Sequence, residues 1–263
     1  MTTQPVKQTA IKSKQEPAMT YTQIIAKLKS LENKNNVAGM ARFGIDPKNA
    51  KALGIPLPVL RAMAKTITPD HVLAGKLWAS RIHEAKLLAG MVDEKDKVTE
   101  KQLESMALDF DTWDITDQTC DNLISDSKYA CEKAVEWAYR KEEFVRRAGF
   151  TLMAMIGWYG KGCSDKQIMA FLPVIEKYST DERNFVKKAV NWALRNIGKG
   201  STMAFHDAAL RSARRLEKSD SKSARWIAKD AIRELVSPKI IKRIREREDR
   251  KAKLLSQKPK DKS

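Results

Sequence analysis

The residues predict an all-α fold, an α-solenoid of stacked helix pairs, on three observations. Helix starts are written into the chain: Thr20 with Gln23, Thr99 with Gln102, and Ser164 with Gln167 each match the capping box, in which the first side chain caps the helix and the second reaches back. No segment of four or more residues alternates apolar and polar positions as a half-buried strand does. Phe144-Val145-Arg146-Arg147-Ala148 returns 41 residues later as Phe185-Val186-Lys187-Lys188-Ala189, a period that fits HEAT-like helix pairs.

Taken in order, residues 1–19 are polar, with Pro5, Pro17 and scattered lysines, and read as a flexible arm. Thr20 opens the fold. Thr68-Pro69 supplies a cap followed by proline at the first helical position, and Ser201 and Asp220 precede two further periodic segments. Ile82–Ala89 and Ser223–Ala228 are weaker relatives of the repeated segment, so five or six helix pairs are expected over residues 20–236. Such arrays curve and offer a concave surface. Lys133–Arg140 is echoed by Lys188–Arg195, but a spacing of 55 does not fit the same register. Gly157–Gly162 lacks the P-loop spacing and follows a helix with no preceding strand, so it reads as a helix exit and loop. Residues 237–263 start with Ser237-Pro238 and carry too few apolar positions for a firmly anchored helix. They read as a frayed helix or basic tail, either solubilising or adding non-specific attraction for phosphate.

Composition narrows the function. With 42% hydrophobic and 32% charged residues over 263 positions the chain is globular. No apolar run approaches the roughly 18 residues of a membrane span, and the N-terminus has no hydrophobic signal region. Cys120, Cys131 and Cys163 form neither a metal-ligand spacing nor an even disulfide set, which points to a reducing cytoplasm. The net charge is +17, and the part of the chain between the two basic ends keeps +8. A folded body that is basic on its own suggests a polyanionic partner, nucleic acid before an anionic membrane.

Against that background Asp109–Asp121 packs five carboxylates into thirteen residues. As a helix, it places Trp113, Cys120 and Ile124 on an apolar arc with Asp117 one turn from Trp113, and turns Asp114 and Asp121 toward water. Asp117 is then the carboxylate half-buried against an aromatic wall, where its charge is least screened; the alternative is a solvated acidic face at a helix start. On the Phe185 helix, Trp192 lies at the edge of the core arc between Lys188 and Arg195. An indole framed by cations suits a sugar-phosphate backbone, or else a tryptophan wedged between helix pairs. Arg147 takes the repeat position of Lys188, and its face continues with the small residues Thr151 and Ala154; the alternative is a surface ion pair. Lys86 takes a similar place in the Ile82 repeat, completing a cationic stripe. His71, His83 and His206 lack paired ligands, so no metal is expected, and no nucleophile elbow is present.

Four segments together resemble the AlkD-like DNA alkylation-repair family over roughly residues 20–236. They are Asn36–Ile45, Leu53-Gly54-Ile55-Pro56, Leu77-Trp78 with His83-Glu84-Ala85-Lys86, and Trp113-Asp114-Ile115-Thr116-Asp117. The resemblance implies a HEAT-like solenoid with a basic, DNA-binding concave face. It also implies a monofunctional glycosylase for N3- and N7-alkylated purines that needs no cofactor, and a monomer acting on duplex DNA. Its catalytic carboxylate corresponds to Asp117, and Arg147, Trp113 and Trp192 correspond to the rest of the family's site. Thr116 stands where relatives often have cysteine, and the loop from Gly157 to Ser164 differs from the family pattern. Alkylation makes the purine cationic, so a preorganised carboxylate would stabilise the charge spread over base and sugar, while Arg147, Lys188 and Arg195 would hold phosphates. Two other classes stay open: a catalytically silent array that binds DNA or RNA, and a protein-binding scaffold, which would lack salt-sensitive duplex binding.

Overall fold

The computed structural model describes residues 19–160 and 162–256, and all regular structure among them is helical. Residues 1–18 of the arm expected over residues 1–19, and residues 257–263, lie outside the described residues. The helices are α1 (Tyr21–Ser30), α2 (Lys34–Gly39), α3 (Pro47–Ala50), α4 (Leu57–Ala64), α5 (His71–Ala79), α6 (His83–Val92), α7 (Glu100–Leu108), α8 (Trp113–Asn122), α9 (Ala130–Ala138), α10 (Glu143–Tyr159), α11 (Asp165–Tyr178), α12 (Asn184–Gly198), α13 (Met203–Glu217), α14 (Lys222–Leu235) and α15 (Pro238–Ser256).

Capping sets where most of these helices begin. Thr20 and Ser164 form the full reciprocal boxes. Thr99 caps Gln102, but the Gln102 amide donates to Asp93 at 2.8 Å instead of reaching back, so this box is only half made. Three starts shift from their expected positions. Asp70, not Thr68, caps α5 through the Leu73 N–H at 2.8 Å. Thr202 and Ser221 replace Ser201 and Asp220, each one residue further along. In every case a short oxygen-bearing side chain nearby satisfies the otherwise orphaned amide.

Consecutive helices pair as α5/α6, α9/α10, α11/α12 and α13/α14, while α7 packs on α10. The second helices α6, α8, α10, α12 and α14 pack side by side in chain order. The 41-residue repeat therefore relates neighbours in that row: Phe144 of α10 and Phe185 of α12 stack with ring centroids 5.5 Å apart. The echo at 55 has no such meaning. Lys133 sits on α9, a first helix, where it is 1% exposed and donates to Glu100, Glu104 and Glu136 at 2.7, 2.8 and 2.6 Å.

Two expectations about the surface are corrected here. Cys131 and Cys163 are bonded, joining α9 to the loop before α11, because the fold closes a sequence gap that spacing could not anticipate; Cys120 is free and buried. Residues 238–256 form a helix, α15, which is anchored rather than the frayed helix or tail expected. It packs on α13 and α14, burying Ile244 completely.

Candidate carboxylate site and nucleic-acid interface

Asp117 lies on α8 facing α10, 7% exposed. Its carboxylate is held from α10: Oδ1 accepts from Arg147 Nε at 2.9 Å and from the Thr151 hydroxyl at 3.0 Å, and Oδ2 accepts from Arg147 Nη2 at 2.7 Å. Thr151 stands one helical turn after Arg147, so both reach the same side chain. A carboxylate offers about four acceptor positions; three are filled, and the remaining one is on Oδ2. Burial pushes the Asp117 carboxyl up from its ordinary range, with the Arg147 guanidinium and Thr151 pulling it back.

Arg147 is tied to a third helix as well. Its third nitrogen, Nη1, donates to the Phe185 carbonyl on α12 at 2.6 Å, so the guanidinium ties three neighbouring second helices together. It is 6% exposed. Three of its five N–H donors are engaged by Asp117 and the α12 backbone, which leaves two for the phosphate it is expected to hold. Arg147 positions the carboxylate.

Trp113 starts α8 half-buried. Its ring lies 5.9 Å from the Arg147 guanidinium, and its Nε1 donates to the Phe43 carbonyl at 3.0 Å. That bond ties the segment after α2 to the site. Gly44 is required there: its φ is +76°, and a Cβ would come within 2.6 Å of the Phe185 ring. The preceding motif is anchored in a similar way. The Glu84 carboxylate accepts from the Leu53, Gly54 and Ile55 amides at 2.8, 2.6 and 3.2 Å, and Gly54, with φ +72°, leaves no room for a side chain beside the Asn33 carbonyl.

Two hollows flank the ion pair. One, of about 440 Å³, is lined by Asp117, Asp121, Trp158, Trp192, Asn196 and Lys199. The other, of about 560 Å³, is lined by Arg42, Phe43, Trp113, Arg147, Phe185 and Lys188. Each member of the Asp117–Arg147 pair lines one hollow, so the four residues Trp113, Asp117, Arg147 and Trp192 do come together, Trp192 on the carboxylate's side and Trp113 on the guanidinium's. Lys188 is exposed and makes no ion pair among the described residues. Arg195 does not share that freedom. It donates to Asp230 at 2.7 Å and to Glu234, both on α14, and its expected place beside Lys188 as a phosphate ligand is corrected accordingly. Lys86 also leaves the expected stripe, buried over the Trp78 ring with its ammonium on the Asp109 carbonyl at 3.2 Å.

Asp114, expected toward water, accepts instead from His83 Nε2 at 2.8 Å. Burial works against charging His83, but the Asp114 hydrogen bond and charge more than offset it and raise its pKa. Burial would likewise raise the Asp114 carboxyl, and the His83 contact brings it below the usual range.

Arg42, Phe43, Trp158, Asn196 and Lys199 line the hollows without having been singled out by the sequence. Arg42 and Phe43, 63% exposed, lie inside a quoted motif but carry no periodic signal. Trp158 did have one: it lies eleven residues, three helical turns, after Arg147, on the face that Thr151 continues. Among the described residues no cluster of three or more histidine, cysteine or acidic side chains could hold a metal, and no helix is long and apolar enough to cross a membrane.

Comparison with solved structures gives the same architecture. One described as "a new family of proteins related to the HEAT-like repeat DNA glycosylases with affinity for branched DNA structures" matches with a TM-score of 0.68 at 18% identity, covering 83% of this chain and 96% of that one. No curated protein matches. The family model described as "DNA alkylation repair enzyme" matches residues 24–235, most of the chain including every helix that contributes to the Asp117 pair, and the chain belongs to that family.

Proposed function

We propose that this protein is a DNA glycosylase that hydrolyses the N-glycosidic bond of cationic N3- and N7-alkylated purines in duplex DNA. The observation that carries this is the Asp117 carboxylate: buried, fixed on three sides by Arg147 and Thr151, and left with one acceptor position on Oδ2 beside a hollow walled by Trp158 and Trp192. An alkylated purine is already positively charged. When the C1′–N bond breaks, the electron pair moves to the base, which leaves neutral, and positive charge develops on the sugar. A preorganised carboxylate in a water-poor site stabilises that charge, and Oδ2 takes the proton as water attacks C1′. Because Arg147 partly neutralises Asp117, the effect acts at short range, on a sugar lying against the hollow. Trp113 and Trp192 supply flat apolar surface for the sugar, and Lys188, which makes no ion pair among the described residues, is a cation for a flanking phosphate.

Selectivity for cationic lesions follows, since a neutral base such as uracil would leave as an anion and gain little from a carboxylate. Incubating the protein with methylated duplex DNA and chromatographing the freed bases tests this. N3- and N7-methylpurines should appear with wild type and be at least about 10²-fold slower with Asp117→Asn. A second possibility, DNA binding without base release, is favoured by the described affinity of the structural neighbour for branched DNA. Tight binding of a four-way junction with no released base from any methylated substrate would establish it and discard the glycosylase.

A further inference from the structure

The part of the chain after Leu235 lies beyond the residues the family model matches, yet it lies against Trp158, part of the wall of the hollow beside Asp117. Helix α15 carries eight lysines and arginines against three acids. Two of those arginines are laid onto one indole: the Arg243 and Arg247 guanidinium carbons lie 4.9 and 5.4 Å from the Trp158 ring centroid, and the Lys199 ammonium is 5.6 Å away. Trp158 and Lys199 line the same hollow as Asp117 and Trp192.

Three cations around one ring is more positive charge than the local structure neutralises. Lys199 pairs with Glu234 at 3.1 Å, but Glu234 also serves Arg195. Arg247 donates only to the Lys199 and Gly200 carbonyls, at 3.4 and 3.1 Å. Arg243 has Nε and Nη2 buried with no acceptor. Neither arginine makes an ion pair among the described residues. The crowding registers in their titration: burial and the Arg243 and Arg250 charges lower the Arg247 pKa, and burial, with Arg195 and Arg243 adding to it, lowers that of Lys199. Stacking on an indole offsets part of the repulsion, and Ile244, fully buried between the two arginines in sequence, fixes the helix that carries them. Held charge without a counter-charge, at the rim of a hollow that faces DNA in the proposed function, is suited to a polyanion.

We infer that Arg243 and Arg247 of α15, with Lys199 and the Trp158 ring, form a second phosphate-binding site that takes the DNA backbone flanking the Asp117 hollow. The ligand class is the phosphodiester, one for each arginine, held by guanidinium donors preoriented on a flat ring. This rests on the proposed function for its ligand, but not on base release.

The test compares two double variants of the full chain. Arg243→Gln with Arg247→Gln removes the pair on Trp158; Lys242→Gln with Arg245→Gln removes the same charge from the exposed opposite face of the helix. In a titration of unmodified duplex DNA over a range of salt, the slope of log K against log salt should become shallower by about 1.8 for the first pair, roughly 0.9 for each lost phosphate contact. For the second pair the change should stay below about 0.5. Equal changes in both would reduce α15 to diffuse charge, and no change in the first would remove the site; either overturns the inference. Should the first pair fail to fold, phenylglyoxal labelling of the wild-type chain decides: duplex DNA must protect Arg243 and Arg247 and leave Arg245 reactive, and protection of neither or of all three refutes the site. Failure of the wild-type chain to bind duplex overturns this inference together with the proposed function. Binding and protection without release of methylated bases would discard the glycosylase alone.

Discussion

Two carboxylate–guanidinium contacts bridge neighbouring members of the second-helix row, and they differ in what they leave over. Asp117 and Arg147 join α8 to α10 at 7% and 6% exposure, with Thr151 and the Phe185 carbonyl completing the set and one carboxylate position facing a hollow. Arg195 joins α12 to α14 with its side chain 30% exposed, and it meets two acids, Asp230 and Glu234, which are themselves shared with Asn191, Arg233 and Lys199. The first contact organises a single carboxylate against an aromatic wall. The second is a distributed surface network that absorbs a cation. Position in the repeat predicts that a charged residue stands in the row; its neighbours decide whether that charge is available to a ligand.

The largest difference should appear in stability. Removing one partner of a buried pair leaves the other uncompensated, so Arg147→Ala should cost about 3–5 kcal/mol, whereas Arg195→Ala, in a partly exposed network, should cost about 1 kcal/mol or less. Denaturant midpoints at constant m-value measure both; comparable losses would erase the distinction between the pairs. Next comes chemistry. Single-turnover base release from methylated duplex should fall about 10²-fold, roughly 2.7 kcal/mol, for Asp117→Asn and less than about threefold for Asp230→Asn. Equal rates for wild type and Asp117→Asn would take Asp117 out of the mechanism.

A smaller effect separates the cations. The salt slope of duplex binding should become shallower by about 0.9 for Lys188→Ala and be nearly unchanged for Arg195→Ala, because a guanidinium already paired with two acids releases few counterions. An equal loss for both would restore Arg195 as a phosphate ligand.

The smallest effect distinguishes Asp117 from Asp114, one turn earlier on α8. His83 has its pKa raised above 6.5 in the fold, so its contribution to stability is complete below pH 6.5 and is lost as pH rises through the folded value. Asp114 has its pKa depressed below 3.8, so its contribution is present above that value and is lost as pH falls through the lower, folded one. The pair is therefore strongest between those limits, and Asp114→Asn should flatten the stability profile above pH 6.5. A profile identical to wild type would mean the pair does not form in solution.

Capping chemistry, the absence of alternation and the 41-residue recurrence determine an all-helical array from sequence alone, because they are local or periodic properties that each segment states without help. The Trp113 to Asp117 spacing also sets the two residues one turn apart on α8, since one turn of helix is fixed geometry. The partners were decided by packing. Thr151 and Arg147 reach Asp117 from thirty or more residues away, Asp230 claims Arg195 from 35 away, and His83 claims Asp114 from 31 away. Helical phase orients a side chain toward a neighbouring helix but does not say which residue meets it there. For the same reason the C-terminal basic segment could be counted from sequence, while only its docking through Ile244 revealed that two of its arginines share the Trp158 ring at the edge of the Asp117 hollow.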